Sequence, residues 1–256
     1  MKHARVAHAG AVHEATAHDR GLQLLDGRVL AEDAVVWLPP VEPGGTIIAL
    51  GINYADHAKE LARELTIGKK DEPLAFLKGP NSLVGHRGLT RRPADASFMH
   101  YECELAVVIG RTAKNVERAD ALAHVAGYSV ANDYAIRDYL ENWYRPNLRV
   151  KNRDGCTALG PWLVDAADIA DPHALELRTF VNGELKQHGN TRDLIDDVPA
   201  LIEYLSGFMT LSPGDVILTG TPEGVVNVNV GDEVICEIDG IGRLVNTLVG
   251  DDVFGR

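Results

Sequence analysis

The stretch "MHYECELAVVIG", residues 99–110, decides the fold. Its second half is a run of β-branched and apolar residues, the composition of a buried strand. Its first half carries two carboxylates, Glu102 and Glu104, one residue apart. Side chains alternate faces along a strand. The glutamates therefore share a face with His100, while Tyr101, Cys103 and Leu105 take the other. Two like charges opening an apolar strand repel each other and lose hydration, so they either share a proton or bind a metal. Carboxylate oxygens without a thiolate suit a hard ion such as Mg²⁺, Mn²⁺ or Ca²⁺. A solvent-facing edge strand with two hydrated glutamates is the alternative that spacing alone leaves open.

Downstream, "VAGYSVANDYAIRD" supplies a second apolar strand over residues 127–131 and an acid, Asp133, just after it. A neighbouring strand would bring Asp133 to the first pair. Three carboxylates would make an incomplete octahedron with places left for a chelating substrate. His100 reads as a residue beside the ligands rather than as one of them. From Asp133 onward the pattern predicts a helix, as do residues 117–124. Upstream, residues 46–50 read as a strand broken by Gly51, with Asn53 or Asp56 capping a short helix that carries Leu61 and Leu65 on one face. "LAFLKG" reads as a further strand.

The rest of the chain is mainly strand. Asn182-Gly183 predicts a two-residue hairpin, and Pro199 fits the first turn of a helix in "TRDLIDDVPALIEYLSGFMTL". "LSPGDVILTGTP" and "VNVGDEVICEIDGIGRLVN" each enter an apolar strand from a Gly-Asp turn. Strands outnumber helices and come in hairpins, which predicts a β-rich α+β fold, mixed or antiparallel, with a few covering helices. Residues 1–45 read as a small N-terminal β appendage and residues 46–256 as the catalytic domain.

A formal charge of −12 argues against nucleic acid or an anionic membrane as partner. No apolar run reaches the 18 residues of a membrane span, and the start lacks an apolar signal core, so a cytoplasmic protein is expected. Cys103, Cys156 and Cys236 are widely spaced, with no CxxC pair, and read as buried free thiols. In so acidic a chain an anionic ligand needs local positive charge. "YRPNLRVKNRDG" concentrates it in Arg145, Arg149, Lys151 and Arg153.

With "YECELAVVIG", "VAGYSVANDYAIRD", "VNGELKQHGNT", "IEYLSGFMTLSPGDVILTGTPEGV" and "GDEVICEIDGIGRLVN" in this order, the chain resembles the fumarylacetoacetate hydrolase superfamily from about residue 46 to its end. The resemblance implies a mixed β-sandwich roll and commonly a homodimer. It also implies a divalent ion, Mg²⁺ or alternatively Mn²⁺, held by Glu102, Glu104 and Asp133. Its members act on small 2-oxo or 1,3-dicarbonyl acids, whose enolates the metal stabilises.

By the same resemblance, His57 and Glu60, i and i+3 in "NYADHAKEL", are the pair that activates water or moves a proton. Lys151 matches an active-site lysine, although its flanks depart from the usual pattern. Arg137 and Thr221 match substrate-contacting residues, and Arg145 and Arg149 are expected to bind substrate carboxylates. Lys78 in "FLKGPNS" matches a pattern without a clear chemical part. Hydrolase members carry a Gln seven residues after the third ligand, where this chain has Leu140. The segment is instead similar to the branch that decarboxylates 5-oxopent-3-ene-1,2,5-tricarboxylate and isomerises 2-hydroxyhepta-2,4-diene-1,7-dioate in 4-hydroxyphenylacetate catabolism. The alternatives carried forward are C–C hydrolysis of acylpyruvates and oxaloacetate decarboxylation or tautomerisation.

Overall fold

Seven consecutive buried positions, Cys103–Ile109, form the central strand. Cys103, Leu105, Val107 and Ile109 face the main core, while Ala106 and Val108 face a second cluster with Ile47, Ala49, Ala131 and Leu159. Burial on both faces explains why this strand shows no polar alternation beyond its two glutamates. The computed structural model describes residues 1–57, 72–140 and 147–254. Glu60, the helix face of Leu61 and Leu65, and Arg145 lie outside the described residues.

The central strand pairs antiparallel with Val125–Asp133 on one side and Val216–Leu218 on the other. Beyond Val216–Leu218 come Ile47–Gly51, in parallel, and then Leu74–Lys78. Beyond Val125–Asp133 come Thr157–Asp165 and then Lys2–His8, which joins through His3 opposite Leu163. The N-terminal strands thus continue this mixed 12-stranded sheet around a small core of their own, with Val6, Leu22 and Trp37. A second sheet of five strands, with Glu176–Val181 and Glu233–Ile238 at its centre, packs across the main core. The fold is the expected β-rich one, mixed strands with few helices.

Local expectations meet the structure unevenly. The hairpin turns at Asn182 and Gly183, both at positive φ (51° and 83°), between Val181 and Glu184. Helix Val198–Phe208 carries Pro199 in its first turn, and the Asp197 side chain accepts from the Ala200 N–H. Residues 118–124 wind as a 3₁₀ helix. Over the described residues 133–140 the helix expected from Asp133 does not form. Asp133 ends a strand, Ala135–Ile136 pairs with Met99–His100, and only a 3₁₀ turn, Arg137–Tyr139, follows. Neighbouring strands take its backbone donors: Asp133 N–H goes to Glu102 O, Tyr134 N–H to Cys156 O and Arg137 N–H to Phe98 O. A helix would break all three bonds.

His86 gives the fold a pH dependence. Its ring packs edge-on against Trp37, and its Nδ1 accepts the Val245 N–H at 3.1 Å, so the neutral ring carries its proton on Nε2. Burial, reinforced by Arg87, lowers its pKa from 6.5 to about 4. The unfolded chain takes up this proton first. Stability is therefore full at pH 7 and falls by about 3 kcal/mol as the pH drops from 6.5 towards 4. His86→Asn, whose amide oxygen can still accept from Val245, should lose less stability between pH 7 and 4.5 in denaturant titrations. Parallel losses in both proteins would remove His86 as the cause.

Candidate metal centre and active site

Strand register assembles the carboxylates. Cys103 lies opposite Asn132 and Glu104 opposite Ala131, so Asp133 comes onto the face of Glu102 and Glu104. Ligand oxygens of the three lie within 4.8 Å of one another, and all three side chains are buried. The expectation that a neighbouring strand delivers the third acid holds by geometry.

Among the described residues three cations face them. Lys151 Nζ donates to Glu102 Oε2 at 2.5 Å, and to Asp133 Oδ2 and its carbonyl at 2.9 Å each. Lys78 Nζ donates to Asp133 Oδ1 and to the Lys151 carbonyl. Arg137 Nη2 donates to Glu102 Oε1 at 3.1 Å, and its Nε donates to His100 Nε2. Burial, followed by Arg137, Lys151 and His57, pushes the His100 pKa well down, and its Nδ1 lies 3.9 Å from Glu102 Oε1. His100 therefore orients Arg137 as a neutral ring. Burial alone would depress Lys151, but Asp133, Glu102 and Glu104 outweigh it and raise its pKa, so Lys151 is charged.

The carboxylates are not equally compensated. Burial pushes Glu102 up, yet Lys151, Arg137 and His57 together hold it below the ordinary value. Glu104 is pushed well up by burial, then by Asp133 and Glu102, against which Lys151 and one backbone donor count for less. That donor is the Gly220 N–H, 2.7 Å from Oε2. Gly220 sits at φ 94°, and a Cβ there would lie 2.9 Å from the Cβ of Asn53, so the approach needs glycine. Oxygen-only donors, three converging acids and one under-compensated carboxylate fit a hard divalent cation.

Of the triad, Glu102 lines a cavity of about 120 Å³ that it shares with His57, Arg137, Leu140, Lys151 and Thr221. Leu74 and Phe76 add an apolar wall. Most of the described site residues named from sequence thus share one cavity. Arg149 does not join them: it is exposed, and its guanidinium lies 4.1 Å from the Tyr139 ring centroid. Arg153 packs on the same ring at 5.3 Å. The placement of Arg149 follows from the short helix Leu148–Lys151, which buries Lys151 and leaves Arg149 outside.

Sequence reading gave Lys78 no chemistry and passed over Gly220. Asn53, read as a helix cap, bonds across the fold: its amide donates to Asp196 O and Thr219 O, at 2.9 Å each. The "FLKGPNS" and "TGTP" patterns were the available signals for Lys78 and Gly220.

Residues 46–249 match the model of the fumarylacetoacetate (FAA) hydrolase C-terminal family. A 4-hydroxyphenylacetate degradation bifunctional isomerase/decarboxylase of Salmonella dublin is 56% identical over 91% of the chain and 54% of its own length. The chain spans about half the length of the curated relatives it matches first. Among solved structures, a 5-carboxymethyl-2-hydroxymuconate delta-isomerase from Mycobacterium smegmatis superposes with a TM-score of 0.85, at 38% identity, over 98% of this chain and 99% of that one. A maleylpyruvate hydrolase from Sphingobium sp. SYK-6, in complex with manganese(II) and pyruvate, superposes with a TM-score of 0.84 at 27% identity, over 98% and 99%.

Proposed function

The chain belongs to the fumarylacetoacetate hydrolase family, and from that premise we propose that it decarboxylates 5-oxopent-3-ene-1,2,5-tricarboxylate, isomerises 2-hydroxyhepta-2,4-diene-1,7-dioate, or does both. The observation that carries this reading is a cavity lined by Glu102, Lys151 and Arg137, with Glu102 at the edge of a cluster of three buried carboxylates, in a chain 56% identical to a bifunctional isomerase/decarboxylase. In this reading residues 46–256 are the catalytic unit, residues 1–45 extend it, and the enzyme works as a cytoplasmic homodimer. Among the described residues no helix is long and apolar enough to cross a membrane.

Glu102, Glu104 and Asp133 would hold Mg²⁺, with Mn²⁺ as a substitute; the solved relative with manganese and pyruvate supports a divalent ion. The ion supplies a Lewis acid for negative charge growing on the 2-oxo oxygen. The chain's own groups do the rest. Arg137 binds a substrate carboxylate beside Thr221, which contributes to the cavity wall while its hydroxyl donates to the Cys103 carbonyl. When the bond to the departing carboxylate breaks as CO₂, its electron pair enters the conjugated 2-oxo system, and charged Lys151, releasing one of its three bonds to Glu102 and Asp133, donates a hydrogen bond to that oxygen. His57, buried on the cavity wall, with Glu60 as its expected partner, moves the proton to and from carbon. Arg145 and Arg149 would meet a distal carboxylate outside this cavity. Leu140, Leu74 and Phe76 keep water off the intermediate, which favours protonation over hydrolysis.

The test incubates the Mg²⁺-loaded protein with the tricarboxylate and, separately, with fumarylpyruvate, following CO₂ and ultraviolet absorbance. CO₂ or isomerisation, with little pyruvate from fumarylpyruvate, supports the proposal. Pyruvate without either makes the enzyme an acylpyruvate hydrolase. Leu140→Gln would place a water-orienting amide at the cavity and should raise pyruvate release about tenfold, a barrier change of about 1.4 kcal/mol. An unchanged rate in a folded, metal-loaded variant would show that Leu140 does not exclude the nucleophile.

A further inference from the structure

The "VNGELKQHGNT" segment has a buried amide that the chemistry above does not use. Gln187 belongs to strand Glu184–Asn190 of the second sheet and is 1% exposed. Its Oε1 accepts from Thr179 Oγ1 at 2.8 Å. Its Nε2 donates to Thr221 Oγ1 at 2.8 Å and to the Pro222 carbonyl at 2.7 Å. Thr221 Oγ1 in turn donates to the Cys103 carbonyl at 2.9 Å. Two carbonyls, which only accept, end this chain of bonds, so the donors run one way, from Thr179 through Gln187 and Thr221 to the central strand. All three side chains are buried, and a bond lost here has no water to replace it.

Backbone packing holds the same place. A Cβ on Gly189, two residues beyond Gln187, would lie 2.6 Å from the Cβ of Pro222, so the main chain of this strand packs directly on the proline ring of the 219–222 turn. The far side of the turn is tied to the central strand, where the N–H and hydroxyl of Thr219 both donate to the Leu105 carbonyl. Between these two anchors the Gly220 N–H points at Glu104 Oε2, the one hydrogen-bond donor to that side chain among the described residues.

We propose that Gln187 is a positioning residue for the metal centre: it clamps the 219–222 turn so that the Gly220 N–H holds one oxygen of Glu104 and leaves the other for the ion. The inference rests on the metal reading given above and extends it to a residue of the opposite sheet. Gln187 touches neither substrate nor ion. It acts through Thr221 and Pro222, as groups beyond the ligands commonly do, where loss of such a partner lowers metal affinity about 10- to 100-fold.

The experiment titrates Mn²⁺ into wild-type protein and into Gln187→Leu, Thr179→Val and Val6→Ala by calorimetry, and records the melting temperature of each without metal. Val6 lies in the small N-terminal core and serves as a control for general destabilisation. Gln187→Leu should raise the Mn²⁺ dissociation constant about tenfold. Thr179→Val keeps the amide donors but removes their anchor, and should raise it about twofold. Val6→Ala should melt earlier with wild-type affinity. Wild-type affinity in a folded Gln187→Leu, or an equal rise in Val6→Ala, overturns the inference, since Gln187 would then only stabilise the fold. If Gln187→Leu does not fold, Thr179→Val decides alone, and an unchanged dissociation constant there overturns it. Wild-type protein that takes up no Mn²⁺ overturns the metal reading and this inference with it.

Discussion

Lys151→Met protein is expected to melt roughly 10 °C below wild type in the absence of a divalent ion, and to regain most of that loss when Mg²⁺ or Mn²⁺ is added. Lys151 Nζ donates to Glu102 and Asp133, both buried. Methionine fills a similar volume but takes one of two cations from each carboxylate, leaving Glu102 with Arg137 and Asp133 with Lys78. Removing one partner of a buried ion pair costs about 3–5 kcal/mol, far more than an exposed pair would. A divalent cation competes with this ammonium for the same oxygens, so the variant should bind metal more tightly than wild type. Turnover should nevertheless fall about a thousandfold, within the range for loss of a proton-donating side chain. Differential scanning calorimetry with and without Mg²⁺ reads the first effect and product formation the second. An equal melting temperature without metal, or no rescue by the ion, would refute Lys151 as the internal counter-charge.

Glu104→Gln should separate stability from activity in the opposite direction. Its amide oxygen can keep the Gly220 N–H bond while the charge is lost. Glu104 is the carboxylate whose burial, beside Asp133 and Glu102, is least offset. The metal-free variant should therefore be more stable than wild type, by about 1–3 kcal/mol. Mn²⁺ binding and turnover should drop below detection, a loss of at least about a thousandfold. Such a trade marks a residue kept at a cost to the fold. A variant that is less stable and still active would show that Glu104 is an ordinary buried acid.

Much of this site was legible from strand periodicity. A period of two put Glu102 and Glu104 on one face, and an apolar strand over residues 127–131 with Asp133 just after it needed only one pairing to complete the triad. The Asn182-Gly183 turn and the Pro199 helix start were readable because their signals are local. What escaped depends on partners distant in sequence. The helix expected from Asp133 lost to strand bonds offered by Glu102, Cys156 and Phe98. Lys78 reaches Asp133 only because its edge strand registers against Ile47, which no spacing near Lys78 encodes. Arg149 and Lys151 look like one basic patch in the sequence. A single short helical turn sends one into the acid cluster and the other onto Tyr139.

The charge balance of the site also sets an order of events. Without an ion, Lys78, Lys151 and Arg137 face Glu102, Asp133 and a Glu104 whose burial favours its protonated form, so the described groups leave the site with at most about one positive charge, inside a protein of net charge −12. Such a cavity has little pull on a polyanion, and the surrounding protein repels one. Taking up a divalent ion turns the same cavity into a local +2 site in a low-dielectric setting, where that charge is felt most strongly. Association should accordingly be sequential, metal first and organic acid second. The organic acid's on-rate should rise with metal occupancy and fall with ionic strength.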